Sequence, residues 1–326
     1  MATSSPTHLE DCMLRTIRYA DIFALPLTAT QLWRYLLVDP TTSSVRWAGH
    51  HAYSLRQVQQ ALVASVWLQQ KLDHQWGYYC LKNRAEIVPA RLRRHRLAQA
   101  KWKILQRVVR LMVYVPFVRM IAGSGSLALY NTTATSDLDV FVVARRGRIW
   151  TTRLLLLMLT QLTGRRRKHW DRQAPDKICL NHYVTDDALL IAPQIRTVYT
   201  AMVYTHLVPL YGHRTWQAFT AANAVWLKRF IMYSLPLPLP FVQRVPVASS
   251  FMRLRRQLEA LLLEPGGKLL ERGAEYIQRR VITRHTLPGQ VGRVFVSAHE
   301  LAFHPHSKAE GVLHQFAQEE GQQLLL

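Results

Sequence analysis

The stretch that most constrains this chain is Gly125-Ser126, followed after a spacer of ten residues by Asp137-Leu138-Asp139-Val140-Phe141-Val142-Val143. The apolar run predicts a buried strand, and its first residues carry two carboxylates. Side chains alternate faces along a strand, so Asp137 and Asp139 point one way while Leu138, Val140 and Val142 point the other. Two anions held side by side repel. At about 4 Å the cost is roughly 1 kcal/mol in water and about 4 kcal/mol at an effective dielectric near 20. A divalent cation offsets that cost, and hard carboxylate oxygens suit Mg²⁺.

The segment before the strand fits the same chemistry. Ile121-Ala122-Gly123-Ser124-Gly125-Ser126-Leu127-Ala128 reads as a short apolar strand, a Gly/Ser turn and a helix start. Glycine lets backbone N–H groups approach a phosphate, and a helix N-terminus favours negative charge. Gly125 and Ser126 are therefore candidate phosphate contacts, with Ser126 adding a hydroxyl. Ser136, beside the carboxylate pair, and Arg145, just past the strand, are further candidates for binding a nucleotide. Arg146 and Arg148 follow the same strand and are read in the same way.

Gly-Ser, a ten-residue spacer and Asp-hydrophobic-Asp together resemble the signature of the DNA polymerase β-like nucleotidyltransferase superfamily. The resemblance implies that Gly125 and Ser126 contact a triphosphate. It also implies that Asp137 and Asp139 are the catalytic, metal-holding pair, with Mg²⁺ or Mn²⁺ as cofactor and an NTP as substrate. A third carboxylate on a later strand would complete such a site. The next predicted strand, Lys177–Val184, offers Cys179 or Asn181 there instead. Asn181 can lend a metal a neutral oxygen but cannot take a proton from an attacking hydroxyl. The nearest acids are Asp176 before the strand and Asp186-Asp187 after it. Either one of these reaches the site or the base is missing.

The chain has 326 residues, 49% of them apolar, enough for two or three domains with real cores. Its 42 Lys and Arg against 20 Asp and Glu give a net charge of +22, which favours polyanionic partners such as RNA or DNA. The arginines cluster, for instance at Arg91–Arg96 and Arg165-Arg166-Arg167-Lys168. Cys12, Cys80 and Cys179 are too scattered for a zinc knuckle or a disulfide framework. The first residues lack a secretory signal, and no apolar run approaches the 18 residues of a span. The expectation is a cytoplasmic protein with no membrane partner, and no stable protein partner is inferable.

The expected fold class is an α/β (α+β) nucleotidyltransferase core, with a winged-helix-like N-terminal region and a mostly helical C-terminal region. Residues 8–85 read as helices Leu9–Ala24, Ala29–Leu37 and Ser54–Gln70, then a hairpin over Leu72–Leu81. Thr28 with Gln31 and Ser54 with Gln57 form capping boxes, and Val58, Leu62, Val63 and Val66 form an apolar stripe. Pro40 and the Thr/Ser run after it read as a loop. Residues 86–119 read as a basic helical linker, with a helix over Ala90–Val113. Residues 120–195 read as the catalytic core, with helix Ile149–Leu162 and an Arg/Trp-rich loop over Thr163–Pro175. Residues 196–326 read as helical, broken by the alternating prolines of Leu235–Pro240. Trp216, Trp226 and Phe230 are expected in a core rather than on a binding face.

One motif is rejected. His299-Glu300-Leu301-Ala302-Phe303-His304 places its histidines five apart, off the one-face spacing of a zinc protease helix, and Pro305 interrupts it. His304 and His306 are left as pocket or surface histidines. The wider layout also resembles a group of bacterial proteins with a predicted nucleotidyltransferase domain. It does so through Pro26-Leu27-Thr28, Ile178-Cys179-Leu180-Asn181 and Phe303-His304-Pro305, as well as the Gly-Ser to Asp-Leu-Asp block. Two functions are expected from these readings. The first is transfer of NMP from an NTP to a hydroxyl on RNA, a protein or a small molecule. The alternative is a catalytically degenerate transferase fold that binds nucleic acid as a regulator.

Overall fold

The structure, a computed structural model, describes residues 5–38, 53–168, 171, 173–232, 244–263, 265–285, 294–303 and 308–321. The loop expected at Pro40, the proline-rich segment Leu235–Pro240, and His304, Pro305 and His306 lie outside the described residues.

The N-terminal unit comprises α1 (His8–Asp21), β1 (Leu27–Thr28), α2 (Ala29–Arg34), α3 (Leu55–Ala64), α4 (Val66–Lys71), β2 (Leu72–Gln75) and β3 (Tyr78–Leu81). Both expected capping boxes form: the Thr28 and Ser54 hydroxyls accept from the N–H of Gln31 and Gln57. A third, Thr7 with Glu10, starts α1. The single helix expected over Ser54–Gln70 is two. Ser65 leaves helical geometry (ψ 109°) and caps α4 by accepting from Leu68 N–H at 3.1 Å. The phase change buries Val58 and Leu62 but leaves Val63 73% and Val66 66% exposed, correcting the expected stripe. The β2–β3 hairpin forms as expected, and β1 adds to it antiparallel through β3.

The rest builds around one mixed sheet. In chain order it contains α5 (Ile87–Met112), β4 (Val118–Gly123), α6 (Gly125–Ala128), β5 (Leu138–Ala144), α7 (Ile149–Leu162), β6 (Ile178–Thr185) and α8 (Val198–Thr205). There follow β7 (Val208–Tyr211), α9 (His213–Leu227), α10 (Ser249–Leu261), α11 (Pro265–His285), β8 (Val294–Val296), β9 (Glu300–Phe303) and α12 (Ala309–Glu319). The six strands run in the order β7-β4-β5-β6-β9-β8. The β5–β6 pair is parallel, joined by α7, and the other pairs are antiparallel. The described residues beyond 195 are mostly helical, in α8–α12, and also supply β7, β8 and β9 to the same sheet as the core strands.

Period-two alternation in β5 sorts its side chains. Leu138, Val140 and Val142 join a core with Trp102, Leu105 and Val109 of α5 and Leu156 of α7. Phe141 and Val143 join the opposite layer with Trp216, Phe219 and Trp226 of α9 and Phe316 of α12. Each fully buried side chain of this size contributes about 1.5–3 kcal/mol. Trp216 and Trp226 are core residues as expected, and Phe230 is partly buried against that layer. Tyr19 of α1 meets Phe316 edge-on at 5.2 Å, and Met232 N–H donates to Leu36 O at 2.9 Å, so the N-terminal unit packs on this face.

Candidate metal and phosphate site

The two aspartates come together where β4 ends and β5 begins. Ser124 N–H donates to Asp139 O at 2.9 Å, which ties the Gly/Ser turn to the carboxylate strand. Gly125 has a φ of +62°, a conformation that costs any residue with a Cβ. A Cβ there would stand 2.2 Å from Asp139 Oδ2. The glycine is thus required twice, by its backbone and by the carboxylate pressed against it.

From the neighbouring strand β6, Cys179 pairs in register with Asp139. Asp137, Asp139 and Cys179 each present one ligand atom, all within 4.8 Å of one another. Asn181 Nδ2 donates to Asp139 Oδ1 at 3.3 Å, so Asn181 sits at the site as a hydrogen-bond donor and would ligate only through its Oδ1. Burial, reinforced by the Asp137 charge, pushes the Asp139 carboxyl up to about 7, against the opposing pull of Arg167, Cys179 and Asn181. Burial, with Asp139 and Asp137 adding to it, also pushes the Cys179 thiol well above its ordinary value. Two hard carboxylates fit a hard divalent ion, whereas a neutral thiol does not.

A one-residue bulge shapes this side of β6. Asp139 and Phe141 are two apart on β5, but their partners Cys179 and His182 are three apart. The extra residue lets Asn181 reach Asp139 while His182 still meets Phe141 edge-on at 4.9 Å. His182 is held between Glu300 Oε1 at 3.0 Å and Tyr204 Oη at 3.4 Å.

No flanking aspartate supplies the third carboxylate. Asp176 accepts from buried Lys101 Nζ at 2.7 Å, and that ammonium also ties down the carbonyls of Ala134 and Ser136. Asp186 and Asp187 lie beyond the other end of β6, about 23 Å along the strand from Cys179. There Asp186 accepts from Arg146 N–H at 2.8 Å and Asp187 pairs with the Arg146 guanidinium at 3.2 Å.

The same geometry corrects the expected arginine contacts. Arg145 follows the far end of β5, roughly 20 Å from Asp139, where its N–H donates to Phe117 O at 2.8 Å. Arg148 is buried, donates to Gly267 O and lies 5.4 Å over the Phe117 ring. Neither these two nor Arg146 faces the carboxylates. Ser136 does line the site, and its Oγ accepts from Thr133 N–H at 3.0 Å, fixing the turn that delivers Asp137.

The residue that sequence reasoning did not single out is Arg167, read only as one of a basic cluster. Its Nη1 donates to Asp137 Oδ2 and lies 3.6 Å from Cys179 Sγ. No local sequence signal marks it: Arg166 bridges Ile178, and only that pairing at a distance turns its neighbour Arg167 toward Asp137.

Ser124, Gly125, Ser126, Asp137 and Asp139 open onto a cleft of about 2390 Å³. That exceeds the roughly 300–1,000 Å³ of a small-ligand pocket. No helix among the described residues is long and apolar enough to cross a membrane. In comparisons with protein-family models, curated proteins and solved structures, nothing matches the chain.

Proposed function

We propose that the protein is a metal-dependent nucleotidyltransferase that moves NMP from an NTP to a hydroxyl on RNA, a protein or a small molecule. The observation that carries this reading is the contact between Gly125 and Asp139, which joins a phosphate-sized turn to a carboxylate pair. Asp137 and Asp139 would hold Mg²⁺ or Mn²⁺. Bound there, the ion supplies charge stabilisation to the phosphoryl group in flight. The Gly125-Ser126 backbone and the Ser126 and Ser136 hydroxyls orient the polyphosphate. Asn181 holds Asp139 in place. Among the described residues no further carboxylate faces the pair to serve as base for the acceptor hydroxyl, and slow turnover is expected.

The contact between Arg167 and Asp137 favours a second reading, since a guanidinium already occupies one side of the pair. In that reading the core is catalytically degenerate and the chain acts as a nucleic-acid-binding regulator. Its net charge and the helix-and-hairpin N-terminal unit, which resembles a winged helix, supply the binding surface.

Pyrophosphate release separates the two. The assay uses each of the four NTPs with Mg²⁺ or Mn²⁺, with and without cellular RNA or lysate protein. Turnover that disappears in Asp137→Ala/Asp139→Ala supports the transferase. Absence of both turnover and NTP binding, with salt-sensitive RNA binding that survives the double substitution, supports the regulator.

A further inference from the structure

On the sheet face opposite the carboxylates lie three neighbouring polar groups, Arg153, Arg166 and Tyr183. Residues 165–167 run beside the start of β6: Ile178 N–H donates to Arg165 O at 2.6 Å and Arg167 N–H to Ile178 O at 3.1 Å. Alternation along this extended segment sends Arg167 to Asp137 and Arg166 to the other face. There Arg166 lies near Arg153 of α7 and Tyr183 of β6. Burial lowers the Arg153 pKa, and the neighbouring Arg166 charge adds to it, while burial keeps the Tyr183 phenol neutral.

Each of the three keeps one buried polar atom without a hydrogen-bond partner among the described residues. Tyr183 is fully buried at 0% exposure, and its hydroxyl has no hydrogen-bond partner among the described residues. The buried Nε atoms of Arg153 and Arg166 have none either. Arg153 Nη1 donates only to Gln278 Oε1, a neutral amide, and its guanidinium lies 4.5 Å over the Phe303 ring. Among the described residues neither arginine pairs with a carboxylate. Two like charges in a desolvated site are unfavourable unless an anion joins them, and a buried hydroxyl without a partner adds to that cost. Both arginines also line the cleft, so an anion has a way in.

We infer that Arg153, Arg166 and Tyr183 form a second ligand site, which binds the phosphate group of an organic phosphate with an apolar body. Two planar guanidinium forks suit a phosphoryl group with three free oxygens, and the buried Tyr183 phenol near them still has its donor to give. The rest of the wall is apolar: Leu157, Leu180, Ile282, Val294 and Phe303 line the adjoining space. That lining gives a free phosphate ion nothing to contact, but it accommodates an alkyl or prenyl chain. The site stands whether or not the carboxylate pair is catalytic, because none of its residues belongs to the carboxylate cluster.

The test measures thermal stability and calorimetric affinity of the full chain. The probes are inorganic phosphate, n-dodecyl phosphate below its micelle-forming concentration, and uncharged dodecyl maltoside. Dodecyl phosphate should raise Tm and bind at least about tenfold tighter than inorganic phosphate, while dodecyl maltoside should do neither. Arg166→Met should weaken dodecyl phosphate by about tenfold or more, and Asp139→Asn should leave it unchanged. Without ligand, Arg166→Met should match or exceed the parent Tm, because a buried repulsion has gone. Should that variant fail to fold, Arg153→Gln and Arg166→Gln carry the same comparison. The inference is overturned if the parent binds neither phosphate, if the arginine variants bind as the parent does, or if Asp139→Asn abolishes binding. Equal affinity for inorganic and dodecyl phosphate overturns the apolar body of the ligand.

Discussion

The guanidinium of Arg167 donates to the carboxylate of Asp137 and shares its corner of the site with Cys179. A fixed positive charge here lowers the repulsion between Asp137 and Asp139, which is also what a bound divalent ion would do. The two therefore compete. Arg167→Gln should tighten Mn²⁺ binding by about tenfold, or about 1.4 kcal/mol, in calorimetry at low salt. Equal or weaker binding would show that Arg167 and the ion do not share the site.

Gly125→Ala should be among the most damaging single-methyl changes in the chain. Its Cβ meets Asp139 Oδ2 at 2.2 Å and its φ is +62°. A cost of about 2–3 kcal/mol is expected, together with loss of divalent-ion binding. Gly147→Ala is the matched control: φ is +64°, but nothing lies within 4 Å of the added carbon. Only the backbone term, about 1–2 kcal/mol, should appear there. Chemical denaturation of the pair separates conformational strain from collision, and equal losses would contradict the collision.

The Asp139 carboxyl is raised to about 7 from 3.8, through burial first and the Asp137 charge second. A raised carboxyl binds its proton more tightly folded than unfolded, so the folded state is favoured below about pH 4. That contribution falls away as pH rises through about 7, by no more than about 4 kcal/mol. The Tm of the metal-free protein should fall across this window, and Asp139→Asn should flatten the fall. Divalent ions should bind more tightly as pH rises through 7, because they need the charged form. A Tm that rises from pH 4 to 7 in the parent, yet not in Asp139→Asn, would reverse the sign argued here.

Lys101, only 2% exposed, braces the turn before the strand through Ala134 O, Ser136 O and Asp176 Oδ1. Lys101→Met should leave two carbonyls and a carboxylate without their ammonium, at a cost of about 2–4 kcal/mol. Asp176 is partly solvated, so Asp176→Asn should cost much less. Urea midpoints of the two variants give the comparison, and a larger loss in Asp176→Asn would place the bracing with the carboxylate instead.

The parts of this molecule legible in its sequence are those with a local cause. Helix α7 spans the expected Ile149–Leu162, the β2–β3 hairpin falls within Leu72–Leu81, and Leu138, Val140 and Val142 face away from Asp139 as period two requires. What the sequence hides is set by distant pairing. Val208–Tyr211 becomes a strand because β4 offers it an edge, and Glu300–Phe303 because β6 does. Arg145 looks close to Asp139 in number, yet a strand rises about 3.3 Å per residue and carries it to the other rim of the sheet. Ser65, in the middle of an apparent helix, is a capping residue whose effect is visible only once the second helix has somewhere to pack.

The bulge in β6 has a consequence for how this chain can vary. Three residues of β6 span two of β5 between Cys179 and His182, so one residue of β6 is extra to the ladder. Removing one residue there would restore plain alternation: His182 would still meet Phe141, and Tyr183 and Val184 would keep their layers, but the amide that Asn181 lends Asp139 would be lost. Removing a residue after His182 would instead turn the strand over from that point, carrying Val184 out of the layer under α9. A one-residue deletion at the bulge would thus strip the carboxylates of their neighbour while sparing both cores, where the same deletion two residues later would scramble the cores.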